Sequence, residues 1–159
     1  AVYKLVAIED EDGQLVDTIK ISNNVGKMST PGKKQVWRIN DRGDGKSEGD
    51  YITLVDEDPR NEKSLNMFNP NFPLQQKDVE DFTARPMLKP IWQDGKYVYD
   101  EPTLEESRQH RFDSLNALWD EYKRDLNPEV YPVDLSQKCY DNKLKLIHQV
   151  HEYVKSLNK

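Results

Sequence analysis

Apolar positions along this chain change their period once. Through the first hundred residues they come in short runs or alternate between turn residues; after Pro102 they recur every three or four positions. Val2–Ile8 (VYKLVAI) is nearly continuous in apolar character, which predicts a strand buried on both faces. The acidic turn Glu9–Gly13 ends in Asp12-Gly13, a hairpin signal, and Leu15–Ser22 then predicts a second strand through its β-branched Val16, Thr18, Ile19 and Ile21. In such a strand Thr18, Lys20 and Ser22 share one face, and Ile19 and Ile21 take the other. Asn23–Lys34 reads as a loop with a tight turn at Pro31-Gly32. Lys34–Asn40 predicts a third strand, with Gln35, Trp37 and Ile39 on one face and Lys34, Val36 and Arg38 on the other. Tyr51–Val55 predicts a fourth beyond an Asp/Gly-rich turn.

From Asp56 to Asp81 the alternation dissolves among asparagines and prolines, which predicts an extended connection anchored by Met67, Phe68 and Phe72. Phe82–Pro90 and Lys96–Tyr99 flank Gln93-Asp94-Gly95, another hairpin signal, and Pro86 and Pro90 confine the first of them to a sheet edge. Thr103 and Glu106 have capping-box spacing and open a helix. Leu104, Phe112, Leu115, Leu118, Trp119, Tyr122 and Leu126 form its stripe, and Asn127-Pro128 ends it. Asp134, with Gln137 three residues on, predicts the cap of a second helix striped by Tyr140, Leu144, Ile147, Val150, Val154 and Leu157. The two helices are expected to pack as an antiparallel pair or against the sheet. The fold class is therefore α+β: an antiparallel β-hairpin and sheet portion over residues 1–55 and 82–100, then two amphipathic C-terminal helices. The expected division is a β-rich segment at 1–56, the extended connection at 57–81 and an α+β part at 82–159.

Composition narrows the function. The 159 residues are 35% hydrophobic and 33% charged, polar enough that some apolar surface is expected to be covered by more protein. The chain opens inside a strand pattern without an initiator Met, and a portion of a longer polypeptide is expected. A single cysteine, Cys139, excludes an internal disulfide and suits the cytoplasm. No run of 18 apolar residues and no leader pattern occurs, so no membrane span is expected. Net charge is −6, which argues against nucleic acid as a partner. Yet Thr18–Lys46 holds seven cations against two acids, leaving 16 against 27 elsewhere. Such an island is either a lysine-decorated sheet edge or a site for a polyanion.

Other chemistry is weaker. Cys139 lies near a predicted helix start, where the dipole lowers a thiol pKa, but no elbow or base accompanies it. His148 and His151 have spacing for a shared metal, yet helix-surface histidines are commoner, and no metal site is expected; His110 stands alone. Glu9, Asp10 and Asp12 occupy a turn where acids are ordinary. No dinucleotide fingerprint or phosphate-loop lysine motif appears. Lys20, Lys27 and Lys33 or Lys34 remain as holders of phosphate, aided by Ser22, Thr30 and backbone donors near Gly32.

These stretches resemble a known family. VYKLVAIEDEDG, TIKIS and GKMSTPGKKQVWRI are similar to the region after the barrel of nicotinate phosphoribosyltransferase, and PTLEESRQ and LWDEYKRDLNPEVYPVDLSQK to its C-terminal segment. The resemblance implies attachment to an irregular α/β barrel, as part of a homodimer. The family joins nicotinate to 5-phosphoribosyl diphosphate, with ATP and Mg, in NAD salvage. It implies phosphate-binding roles for Lys20, Ser22, Lys27 and one of Lys33 and Lys34, with no catalytic residue in this chain. The family's phosphohistidine matches none of His110, His148 or His151, so these residues alone are expected to be inactive and to bind no cofactor tightly. A purely structural C-terminal scaffold, or a stand-alone anion- or nucleic-acid-binding module, are the competing readings.

Overall fold

The computed structural model describes residues 3–157; Val2, where the first predicted strand opens, lies outside them. Its centre is a six-stranded sheet. β3 (Lys34–Asp41) and β4 (Ser47–Leu54) form an antiparallel pair, and β5 (Ser64–Asn69) pairs antiparallel with β6 (Phe72–Glu80). β7 (Phe82–Pro86) adds to β3, and β10 (Val133–Leu135) runs parallel to β4 and antiparallel to β5. The order is β6-β5-β10-β4-β3-β7. Two small hairpins stand outside it: β1 (Ala7–Glu9) with β2 (Leu15–Asp17), and β8 (Trp92–Gln93) with β9 (Lys96–Tyr97).

Alternation places the core. Along β4, Ser47, Gly49, Tyr51 and Thr53 are buried while the residues between them are half-buried. Trp37, Ile39, Tyr51, Leu65, Met67, Val79 and Phe82 form one cluster. Asp81, with φ 49°, is the sole residue between β6 and β7, so the sheet curls and its two edge strands meet in one core. Each such side chain contributes about 1.5–3 kcal/mol on burial. The opposite face takes α3 (Gln137–Leu157): Phe68 and Tyr140 meet edge to face at 5.2 Å, and Leu135 and Cys139 are buried there. Among the described residues no helix is long and apolar enough to cross a membrane.

The α+β architecture and the faces of β3 are as the sequence implies, and Pro86 does lie on an edge strand. The capping box is present: Thr103 N donates to Glu106 Oε2 at 2.7 Å and Glu106 N to Thr103 Oγ1 at 3.3 Å. Elsewhere the chain differs. Residues 57–81 are not an extended connection, since β5 and β6 form a hairpin of the main sheet. Its inward positions Leu65 and Met67 alternate with Asn66, and Pro70-Asn71 supplies the bend, a pattern hidden by polar outer positions. Met67 and Phe68 are buried there, but Phe72 is 62% exposed. Strands from all three expected parts thus share one sheet.

The first predicted helix is also interrupted. α1 (Leu104–Asn116) stops ten residues early and α2 (Asp120–Lys123) follows as a single turn. The β3–β4 turn takes the terminal carbonyls: Lys46 Nζ donates to Asn116 O at 2.8 Å and Ser47 N to Ala117 O at 2.7 Å. α1 and α3 do not form an antiparallel pair; α3 packs on β4. Asp134 does not cap α3. It lies in β10, and Ser136 does the capping, its Oγ accepting from Cys139 N at 3.1 Å.

Candidate functional site

The cationic loop hangs from the β1–β2 hairpin. β2 ends at Asp17, so Lys20 and Ser22 do not stand on a strand face as predicted. Residues 18–29 are instead held by side chains. Ser29, fully buried, accepts from Lys20 N at 2.8 Å and its own N donates to Lys20 O at 3.2 Å. One hydroxyl thus replaces a ladder bond. Ser22 Oγ accepts from Asn24 N at 3.2 Å, and Asn24 Oδ1 from Gly26 N at 3.0 Å, which winds the turn of 3-10 helix at Val25–Lys27. Lys4 reaches across to donate to Gly26 O and Met28 O, both at 3.0 Å. The result is an open cavity of about 730 Å³ whose lining includes Lys4, Thr18, Lys20 and Lys27. Thr18 Oγ1 is buried and, among the described residues, has no hydrogen-bond partner.

The loop is anchored at Pro31-Gly32. Gly32 adopts φ +89°, buried against Leu54 and Asp17, and its N–H donates to Val6 O at 2.9 Å. Asp17 Oδ2 accepts from Asn142 Nδ2 on α3 at 2.7 Å, tying hairpin, loop and helix together. Lys34 is part of this anchor. Its ammonium donates to Thr30 O at 2.6 Å and to Gly32 O, and burial lowers its pKa.

The seven cations therefore divide. Lys34 serves the turn, Arg38 pairs with Asp50 at 2.9 Å, Arg42 with Asp81 at 3.1 Å, and Lys46 caps α1. Lys20, Lys27 and Lys33 are exposed and make no side-chain hydrogen bond or ion pair with a described residue. Lys20 and Lys27 meet at one cavity, which Lys33 does not line. Nor does Gly32 offer a free backbone donor. Three positions here carried no sequence signal: Ser29, Asn142, and Lys4, the last hidden in an apolar strand pattern.

The other candidates lie apart. Cys139 is buried with its thiol pushed up to about 11, so burial outweighs the dipole at its helix start. His148 and His151 are exposed on α3, and among the described residues no three His, Cys, Asp or Glu side chains converge as metal ligands.

Residues 33–143 match the family model described as the nicotinate phosphoribosyltransferase C-terminal domain. The chain belongs to the nicotinate phosphoribosyltransferase family. It is 49% identical over 150 residues to nicotinate phosphoribosyltransferase of Bacillus subtilis (strain 168), covering 94% of this chain and 30% of that protein. The Caenorhabditis elegans nicotinate phosphoribosyltransferase is 30% identical over 141 residues, 87% of this chain and 24% of the relative. The crystal structure of human nicotinic acid phosphoribosyltransferase superposes with a TM-score of 0.64 at 25% identity, over 77% of this chain and 23% of that one. This chain thus spans 30% or less of these relatives. Lys20 and Lys27 precede the span of the family model, but the Bacillus relative aligns with nearly the whole chain.

Proposed function

We propose that this chain is the C-terminal part of an enzyme that joins nicotinate to 5-phosphoribosyl diphosphate. The products are nicotinate mononucleotide and diphosphate, formed with ATP hydrolysis in NAD salvage. Residues 1–56 complete the phosphoribosyltransferase core, and the later part, including residues 82–159, supplies scaffold and homodimer surface in a cytoplasmic enzyme. One observation carries the site assignment: Lys20 and Lys27, both without a described partner, line one open cavity beside the unpartnered Thr18 hydroxyl. When the C1′–O bond to diphosphate breaks and the C1′–N bond to nicotinate forms, charge accumulates on the departing diphosphate. Lysines at that place lower the barrier by stabilising it. Their flexible point charges follow oxygens that move. Lys33 lies outside the cavity lining and adds exposed positive charge beyond the turn, Ser22 shapes the loop, and Lys34 keeps the turn.

The donor set here suits phosphate rather than a resident metal: it is ammonium and hydroxyl, so ATP and Mg belong with the incoming substrates. The 159 residues by themselves are expected not to turn over, since the family's phosphohistidine matches none of their histidines; among the described residues no histidine lines the lysine cavity.

The test is Lys20→Ala and Lys27→Ala in the intact enzyme. Each is expected to lower kcat/KM for 5-phosphoribosyl diphosphate about tenfold or more, a loss of about 1.4 kcal/mol, with the unfolding midpoint unchanged. Unchanged kinetics at moderate salt would leave the lysines only a steering role and the domain a scaffold.

A further inference from the structure

Asp134 takes no part in the site above. It sits opposite Tyr51 in the β10–β4 ladder, which turns its side chain to the core face. Met67 and Lys77, opposite one another in the β5–β6 ladder, line the same space. Asp134 is 6% exposed, and its carboxylate accepts no hydrogen bond from any described residue. Lys77, whose field reaches it, is already committed, its ammonium lying 2.6 Å from Glu48 O and 2.7 Å from Glu48 Oε2. The Asp134 oxygens keep access to solvent rather than being sealed in, and partial burial raises the pKa of the carboxyl.

The space that Asp134 lines is a cleft of about 410 Å³, walled also by Met67, Gln75, Lys77, Tyr122 and Tyr131. It shares no residue with the lysine cavity. Its aromatic side is held in place: the two tyrosine rings meet edge to face at 5.4 Å, and the Tyr131 hydroxyl is bonded to Ser47 at 2.5 Å and Asp50 at 3.2 Å. A cleft lined by one carboxylate, two tyrosines and a thioether suits a positive nitrogen on an apolar body, through charge at one end and apolar contact along its length; the Arg38 guanidinium, 5.6 Å from the Tyr131 ring centroid, already uses that ring as a cation partner. An anion is repelled by the same carboxylate. A bare metal ion would find no set of three ligands among the described residues.

We infer that this cleft binds a small organic cation, an amine or amidine on a flat apolar body, with Asp134 as counter-ion and Tyr122 and Tyr131 as walls. Benzamidine and tyramine are the probes, titrated calorimetrically into the intact protein. At least one should bind with Kd below about 1 mM, and Asp134→Asn, which keeps the shape and removes the charge, should weaken it at least about tenfold. Val130→Trp alters an exposed residue of the cleft lining and should block binding to the same degree, which keeps the test decisive if Asp134→Asn fails to fold. The inference is overturned if neither amine binds below about 10 mM, or if a folded variant leaves the affinity within about twofold of the parent.

Discussion

Lys34 and Lys20 differ little as letters and completely as physical objects. The Lys34 ammonium donates to two carbonyls of its own turn, whereas Lys20 offers its backbone to Ser29 and leaves its charge outside. Hydrogen bonds from a charged donor are worth about 1.5–3 kcal/mol, so Lys34→Ala should lower unfolding free energy by about 1–3 kcal/mol. Lys20→Ala should stay within about 0.5 kcal/mol of the parent, as surface changes do. Urea denaturation of the two variants compares them directly; equal losses would mean that the turn does not depend on the Lys34 ammonium. The division of the island, four cations in structure and three outside, is a residue-scale fact that charge counting cannot reach. Composition reports how many lysines there are, and only the fold decides which carbonyls or acids lie within reach of each.

At the scale of elements, Pro31-Gly32 does more than reverse the chain. Gly32 sits at φ +89°, and a Cβ there would fall 2.8 Å from Leu54 Cδ2 and 3.1 Å from Asp17 Oδ2. Gly32→Ala should therefore cost about 1–3 kcal/mol, from the left-handed backbone and from pressure on the Asp17–Asn142 bond. A denaturant midpoint unchanged from the parent would refute that account. The tight turn was legible because Pro-Gly has local causes. So were β3, the Asp94-Gly95 bend and the Thr103 capping box, although the first arm of the β8–β9 hairpin is Trp92–Gln93, and Phe82–Pro86, expected there, pairs with β3 instead. What was illegible depended on distant partners. The β5–β6 hairpin looked like loop because Asn66, Gln76 and Asp78 face outward and the polar Lys77 stands opposite Met67; only pairing with β10 gives Leu65 and Met67 a core to enter. Likewise, nothing in residues 104–126 says that Lys46 will cap the helix after Asn116. The lysine cavity was half legible: its cations were visible, while Ser29 and Asn142, which fix its shape, looked like ordinary polar residues.

For the whole molecule, stability is concentrated in the curled sheet. α1 buries none of its residues, and Leu104 and Phe112 remain more than half exposed, while β3 and β4 carry the centre of the core. Hydrogen–deuterium exchange should show this gradient. α1 amides should exchange through local opening, whereas those of β3 and β4 should exchange only on global unfolding. Protection in α1 equal to that in β4 would contradict it. β10, only three residues long, fills the place between β4 and β5, yet it is made last of all the strands. Residues 70–132, 63 in number, separate the end of β5 from its start. At about 5–20 residues per second, the ribosome needs roughly 3–13 s to supply it. Through that interval the nascent chain carries two facing strand edges with nothing between them, the kind of edge that recruits strands from neighbouring chains. A message that ends between the codons for Asn69 and Val133 would leave that gap permanent, and its product would belong to chaperones and proteases.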